Sequence, residues 1–296
     1  MTLRPFAYVE PKQLDEAVAA LVEYSSEAML LAGGTDLLVM MKSGLVSPKA
    51  IINLKRVPGL AGITTGNGDV RLGTLTTFRA IETSALLQER CPALPEAAKW
   101  LGSVQIRHLA TLGGNVCRAS PSAESAPPLI ALGAQAHIVG PDGERALPLD
   151  EFFTGPGTTV LAPGEILTEI RVPVPAARSG AAYLRRSIRP LMDLAIVNVA
   201  ASVTLDEAGQ SFVDARIALG AVAPTPIRAR QAEAALRGQP ATETVLEAAA
   251  ALAAEEARPI TDVRSTADYR RAMVRLLTRR ALERALARAT EDSLPT

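Results

Sequence analysis

Apolar residues recur at helical spacing in residues 11–24, where Leu14, Val18, Leu21 and Val22 share one face and Pro11 suits the first turn. A short apolar run at 28–31 reads as a strand, and a second apolar run follows at 37–41 after a glycine turn. The segment from Ala50 reads as a further strand ending at a Pro-Gly turn. Residues 62–76 are β-like, with Gly66, Asn67 and Gly68 as a hairpin signal. Residues 76–102 predict two short helices split by Pro92, and residues 126–153 predict a helix, a strand and a Pro-Asp-Gly turn. Residues 165–175 alternate like a strand and stop at proline.

The stretch 175–182 is small, polar and bears Pro and Gly, which marks a domain boundary. Beyond it the pattern predicts a β-hairpin, with strands at 194–205 and 212–219 around Gly209. A helix closed by Gly238 follows, then an Ala-rich helix at 244–257. A last helix at 269–289 carries Met273, Leu276, Leu277 and Ala281 on one face and many arginines on the other. Regular βαβ alternation is missing, so the pattern is α+β, with a helix-rich C-terminal domain.

Composition narrows the functional classes. A chain of 296 residues with 48% hydrophobic content suggests about two domains. Lys+Arg and Asp+Glu are both 31, and this balance gives no electrostatic case for nucleic acid or a membrane surface. Cys91 and Cys117 lie far apart, so no iron–sulfur cluster or other metal is expected in this chain. Two isolated cysteines also suit a reducing compartment. The first residues lack an apolar core of signal-peptide length, and no apolar run is long enough to span a bilayer. The expectation is a cytoplasmic chain.

Two stretches share a design. "LLAGGTDLL" at 30–38 and "ATLGGNV" at 110–116 each place Gly-Gly between apolar residues and add small polar ones: Thr35 in the first, Thr111 and Asn115 in the second. Glycine lets a ligand approach the main chain, and successive exposed N–H groups make an anion-binding concavity. Two such turns suit a pyrophosphate gripped from both sides. Two tight turns without a ligand are the alternative at this point. Neither stretch matches GxGxxG or the Walker pattern, which disfavours Rossmann and P-loop readings.

"AGGTDLLVMMK" at 32–42 and "SVQIRHLATLGGNVCRASPSAES" at 103–125 together resemble the FAD-binding medium subunit of molybdenum hydroxylases. That family includes the flavoprotein of aerobic carbon monoxide dehydrogenase and the flavin domain of xanthine dehydrogenase. The resemblance continues through "EILTEIRVP", "YLRRSIRPLMDLAIVNVAASV" and "STADYRRAMVRLLTRRAL", nearly the whole chain. It implies a two-lobed α+β FAD-binding module of the p-cresol methylhydroxylase type over residues 1–176, with lobes of about 1–55 and 56–176. A smaller α+β C-terminal domain over 177–296 would follow.

The resemblance also implies roles. Ala32, Gly33, Gly34, Thr35 and Asp36, with Leu30 and Leu37 beside them, would wrap the FAD pyrophosphate. Thr111, Gly113, Gly114 and Asn115 would contact the same diphosphate and the ribityl chain. Leu101 and Leu167 match apolar contacts of the cofactor. Glu124 stands where relatives carry an Asp on the adenosine ribose. Arg185 stands where relatives often have a Lys near the isoalloxazine, and Asp193 in the loop over that ring, although both equally fit solvated loop charges. No cysteine-bearing insert follows Cys117, so the extra cluster of some relatives is not expected. No catalytic acid, base or nucleophile is expected either. Electrons would reach the flavin from a small [2Fe-2S] subunit fed by a large molybdopterin subunit, in a heterotrimer or its dimer, and pass to an external acceptor. A self-contained flavoenzyme of the same fold, or a module binding another phosphate ligand, would share the glycine turns.

Overall fold

The structure, a computed structural model, describes residues 3–291. Strands Ala7–Val9, Ala50–Asn53 and Ala28–Leu31 form a small parallel sheet with Ala50–Asn53 in the middle. That central strand is buried along its length, as the unbroken apolar run "AII" requires of a parallel strand. Helix Leu14–Tyr24 lays Ala17, Val18 and Ala20 over it.

A second sheet is five-stranded and antiparallel, in the order Ile63–Gly66, Asp69–Gly73, Ile166–Pro173, Gln135–Gly140, Gly143–Pro148. Short helices cover it. The sequence predicts two between residues 76 and 102, and the structure has three: Phe78–Thr83, Ala85–Arg90 and Ala93–Ala98. Ser84 makes the extra break, because its hydroxyl accepts from the Leu87 amide and starts a new helix. The apolar run after the first glycine turn is also a helix, Leu37–Lys42, which buries Leu37 and Met41 one turn apart.

The third sheet is antiparallel, in the order Ser179–Arg186, Val197–Leu205, Phe212–Gly220, Ile227–Arg228. Its two faces enter different cores. Ala181, Tyr183, Ala200 and Ala218 point toward the first part of the chain and join the core of Leu72, Phe78 and Leu129. Their neighbours Ala182, Val199, Ala201, Ile217 and Leu219 point the other way, onto helices Glu243–Glu256 and Ala267–Glu291. This double burial explains why strand Ser179–Arg186 is invisible in the pattern: small apolar residues on both faces erase the alternation. Half of the stretch read as a connector, residues 179–182, lies in that strand. The following strand begins at Val197 rather than 194, because Asp193 accepts from the amides of Arg189 and Leu194 and holds that segment as a loop.

Arg270 fastens the last helix to this sheet. It is 4% exposed and donates to the carbonyls of Ile196 at 2.7 Å and Ala221 at 3.1 Å, and to Asp262 at 2.8 Å. Arg270→Met strips two buried carbonyls and a carboxylate of their donor. It is expected to cost about 3 kcal/mol in chemical denaturation.

Candidate functional site

A cleft of about 910 Å³ runs between the parallel sheet and the second sheet. Leu30, Ala32, Gly33, Gly34, Thr35, Asp36 and Leu37 form one wall. Leu101, Thr111, Gly113, Gly114 and Asn115 form the other, and Glu124, Leu167 and Asp193 also border the cleft. Of the residues singled out in the sequence, Arg185 alone does not border it.

The paired glycines divide their labour. Gly34 has φ +76°, a conformation that favours glycine. A Cβ on Gly33 would lie 2.1 Å from the Leu109 carbonyl oxygen, so Gly33 lets the two loops touch. The second pair is not a turn but the start of a short helix, Leu112–Arg118, capped by the Thr111 hydroxyl, which accepts from the Gly114 amide. A Cβ on Gly113 would lie 1.6 Å from Thr74 Oγ1, so that glycine packs against the neighbouring loop. A Cβ on Gly114 would meet only Thr111 Oγ1, at 2.9 Å, and otherwise open cleft. One glycine of each pair serves packing between segments, and the other shapes the surface of the cleft.

The amides of Gly33, Gly34, Thr35 and Asp36 find no acceptor among the described residues. Four consecutive unpaired N–H groups lining a cleft have the form of an anion cradle. Across from them, Asn115 Oδ1 accepts from the Ser125 hydroxyl at 2.7 Å, which fixes the orientation of its amide. Arg118 also borders the cleft and has no carboxylate partner among the described residues. Cys117 lies beside it, and burial pushes its thiol up to about 12, so it stays protonated and packs as an apolar group.

Against the cleft wall stands a buried polar network. Glu124 is 5% exposed. Its Oε1 accepts from Arg185 Nη1 at 2.5 Å, and its Oε2 accepts from the Tyr183 hydroxyl. Burial pushes the Glu124 carboxyl up to about 7, against the lowering effect of Arg185. Both carboxylate oxygens therefore hold protein partners, although Glu124 also borders the cleft. Arg185 sits one layer back from the cleft. Its guanidinium lies 5.2 Å from the centre of the Trp100 ring and donates to the carbonyls of Trp100 and Asp193. Trp100 in turn borders the cleft. Asp193 is held below the usual carboxylate range by the backbone N–H groups of Arg189 and Leu194, so it keeps its charge beside the cleft.

Sequence reading passes over Tyr183, Asn198 and Arg118. The two-residue period of strand Ser179–Arg186 places Tyr183 and Arg185 on one face, a usable signal once the strand is known.

Residues 4–175 match the family described as FAD binding domain in molybdopterin dehydrogenase. Residues 182–285 match the CO dehydrogenase flavoprotein C-terminal domain. The chain belongs to this family of FAD-binding subunits. It is 38% identical over 285 residues to the carbon monoxide dehydrogenase medium chain of Hydrogenophaga pseudoflava, covering 96% of this chain and 98% of that one. It is 33% identical to the xanthine dehydrogenase FAD-binding subunit of Escherichia coli, covering 96% and 97%. The solved carbon monoxide dehydrogenase from Hydrogenophaga pseudoflava superposes with a TM-score of 0.92 at 38% identity, covering 97% of this chain and 99% of that one. Quinoline 2-oxidoreductase from Pseudomonas putida 86 superposes with a TM-score of 0.90 at 29% identity, covering 98% and 99%.

The site fits a dinucleotide on its own terms. Its volume lies near the top of the roughly 300–1,000 Å³ usual for ligand pockets. Among the described residues it has an unpaired amide cradle, a cation without a carboxylate partner and apolar walls. Among the described residues no group of three or more His, Cys, Asp or Glu side chains is placed to hold a metal ion, and no helix is long and apolar enough to cross a membrane.

Proposed function

We propose that this chain is the FAD-carrying electron-transfer subunit of a molybdenum hydroxylase, an oxidoreductase whose substrate chemistry takes place on another chain. The observation that carries this reading is the row of unpaired amides at Gly33, Gly34, Thr35 and Asp36, facing Thr111, Gly114 and Asn115 across the cleft. These residues would hold the diphosphate, with Leu30, Ala32, Leu37 and Gly113 supporting them. Leu101 and Leu167 would offer apolar contact, Trp100 and Asp193 would border the ring end, and Arg118 would add a cation. Glu124, whose oxygens are engaged by Tyr183 and Arg185, would border the cofactor from the cleft wall, and Arg185 would act from behind Trp100. The bound flavin supplies the redox chemistry; the chain supplies binding, orientation and electrostatics. Residues 1–176 would form the FAD-binding unit and 177–296 the C-terminal domain.

A large molybdopterin subunit and a small [2Fe-2S] subunit complete the electron path, in a cytoplasmic heterotrimer or its dimer. Native mass spectrometry of the co-purified assembly tests this. A complex of three different chains carrying molybdopterin, iron–sulfur centres and FAD is expected, and a lone chain with its own oxidase activity overturns it.

Gly114→Val separates the cofactor site from the fold. Its side chain displaces only the Thr111 hydroxyl and otherwise enters open cleft, so the melting temperature in the absence of FAD is expected to fall by no more than a few degrees, the cost of a weakened cap. Flavin retention after gel filtration is expected to fall by roughly tenfold or more, since a blocked contact worth about 1.4 kcal/mol already costs that factor.

A further inference from the structure

The loop that leaves strand Ser179–Arg186 presents an apolar tip. Ile188, Leu191, Met192 and Leu194 are between 45% and 60% exposed. They are not exposed for want of order. Asp193 accepts from the amides of Arg189 at 2.8 Å and Leu194 at 3.0 Å, and the Ser187 hydroxyl donates to the Arg189 carbonyl at 2.6 Å. Arg189 Nη2 donates to the Met192 carbonyl at 2.7 Å, and Met192 has φ +53°, a left-handed backbone uncommon outside glycine. A loop so fixed carries its apolar tip ready-made and loses little freedom when that tip is covered.

Beside the loop lies a hollow of about 390 Å³, lined by Ile188, Ile196 and Tyr269 together with two arginines, Arg186 and Arg264. Neither arginine has a carboxylate partner among the described residues, and Arg186 Nε donates to the Tyr269 hydroxyl at 3.1 Å. The neighbouring carboxylates are engaged: Asp193 by backbone amides, Asp262 by Arg270 at 2.8 Å and Asp268 by Arg271 at 3.3 Å. The chain as a whole has a net charge of zero, so the uncompensated positive charge is local to this face. Methionine, tyrosine and arginine around an apolar centre are the side chains that protein interfaces favour. The patch falls short of the roughly 20–30 residues a side of a stable interface and suits a transient electron-transfer encounter. The same loop reaches the cofactor cleft, which Asp193 and Leu194 border.

Resting on the FAD reading above, we propose that the loop of residues 187–194 and the hollow beside it dock a small acidic one-electron carrier protein, which takes electrons from the flavin. A carboxylate of the carrier pairs with Arg186 and Arg264, and the apolar tip of the loop meets an apolar spot on the carrier. Each reduced flavin reduces two carriers in turn, by one electron each, and its protons leave to solvent. Opposite charge speeds the encounter, and the small apolar centre lets the carrier leave again.

The test is binding of ferric cytochrome b5, a small acidic haem protein, to the full FAD-loaded chain by titration calorimetry, with hydrogen exchange mapping the footprint. At about 10 mM salt the wild type is expected to bind it and to protect residues 187–194 and 264–269, and at about 150 mM salt to bind it roughly tenfold more weakly. Arg186→Gln with Arg264→Gln is expected to weaken binding by about tenfold or more, and Leu191→Ser with Met192→Ser by several-fold, both with wild-type flavin content and melting temperature. The rate of haem reduction by the photoreduced flavin should fall in the same order. No binding at low salt, equal binding by the wild type and the arginine variant, protection elsewhere, or equally tight binding of the basic cytochrome c overturns the proposal. A preference for phosphatidylserine vesicles over the cytochrome overturns it in favour of a lipid surface. A chain that docks the cytochrome at these residues and holds no flavin overturns the FAD reading instead.

Discussion

Gly33→Ala is expected to empty the cofactor cleft and to lower the stability of the N-terminal part of the molecule together. The added methyl would lie 2.1 Å from the Leu109 carbonyl oxygen and 3.0 Å from Ala110 Cα. Both are backbone atoms, so no side-chain rotation relieves the clash. The loop of residues 32–36 has to retreat from the loop of residues 109–110. That retreat opens the joint between the two walls of the cleft and separates the amide cradle from Thr111, Gly114 and Asn115. Overpacking of this kind costs about 1–3 kcal/mol, and a backbone contact belongs at the upper end. Thermal unfolding should show a melting temperature several degrees lower without FAD, and the purified variant should carry well under half a flavin per chain. Gly114→Val loses flavin with a smaller thermal penalty, since it crowds only the Thr111 side chain. The contrast between the two separates the packing role from the ligand-facing role.

Arg185→Met is expected to produce a stability loss that depends on pH. In the folded protein Glu124 is raised from 4.5 to about 7, so its folded value exceeds its unfolded one. The group therefore contributes favourably below about pH 4.5, and that contribution is lost as pH rises through its folded value. Removing Arg185 takes away the attraction that opposes burial and raises the folded value further, so the loss grows over a wider range. Near pH 5 the carboxyl accepts a proton and the variant is only mildly destabilised. Near pH 8 an unpaired buried carboxylate costs about 3–5 kcal/mol. Denaturant unfolding at the two pH values checks this, and the double variant with Glu124→Gln should flatten the difference. A loss equal at both pH values would mean that Arg185 acts through Trp100 and its two carbonyl bonds and not through Glu124.

Much of this is legible in the sequence because the signals are local. Two Gly-Gly pairs with flanking small polar residues mark both walls of the cleft, and the hairpin signal at 66–68 falls between strands Ile63–Gly66 and Asp69–Gly73. Helix Leu14–Tyr24 and the last helix follow from apolar residues on one face, and helix Glu243–Glu256 from its run of alanines. The rest depends on tertiary context. Strand Ser179–Arg186 is hidden because it is buried on both faces. The second glycine pair reads as a turn, yet Thr74 and Thr111 shape it into a helix start, through contacts of Gly113 with one and Gly114 with the other. The resemblance places Glu124 and Arg185 near the cofactor, but not their pairing with each other 61 residues apart. Tyr183 and Asn198 announce nothing in sequence, since their role comes from the register of strands Ser179–Arg186 and Val197–Leu205.

The flavin content of the purified chain decides whether the cleft holds FAD. A visible spectrum with denaturing release and quantification of the nucleotide should give about one FAD per chain, with flavin bands that bleach on two-electron reduction. A chain that remains colourless after incubation with excess FAD, while folded and with its melting temperature unmoved by the nucleotide, would contradict the account.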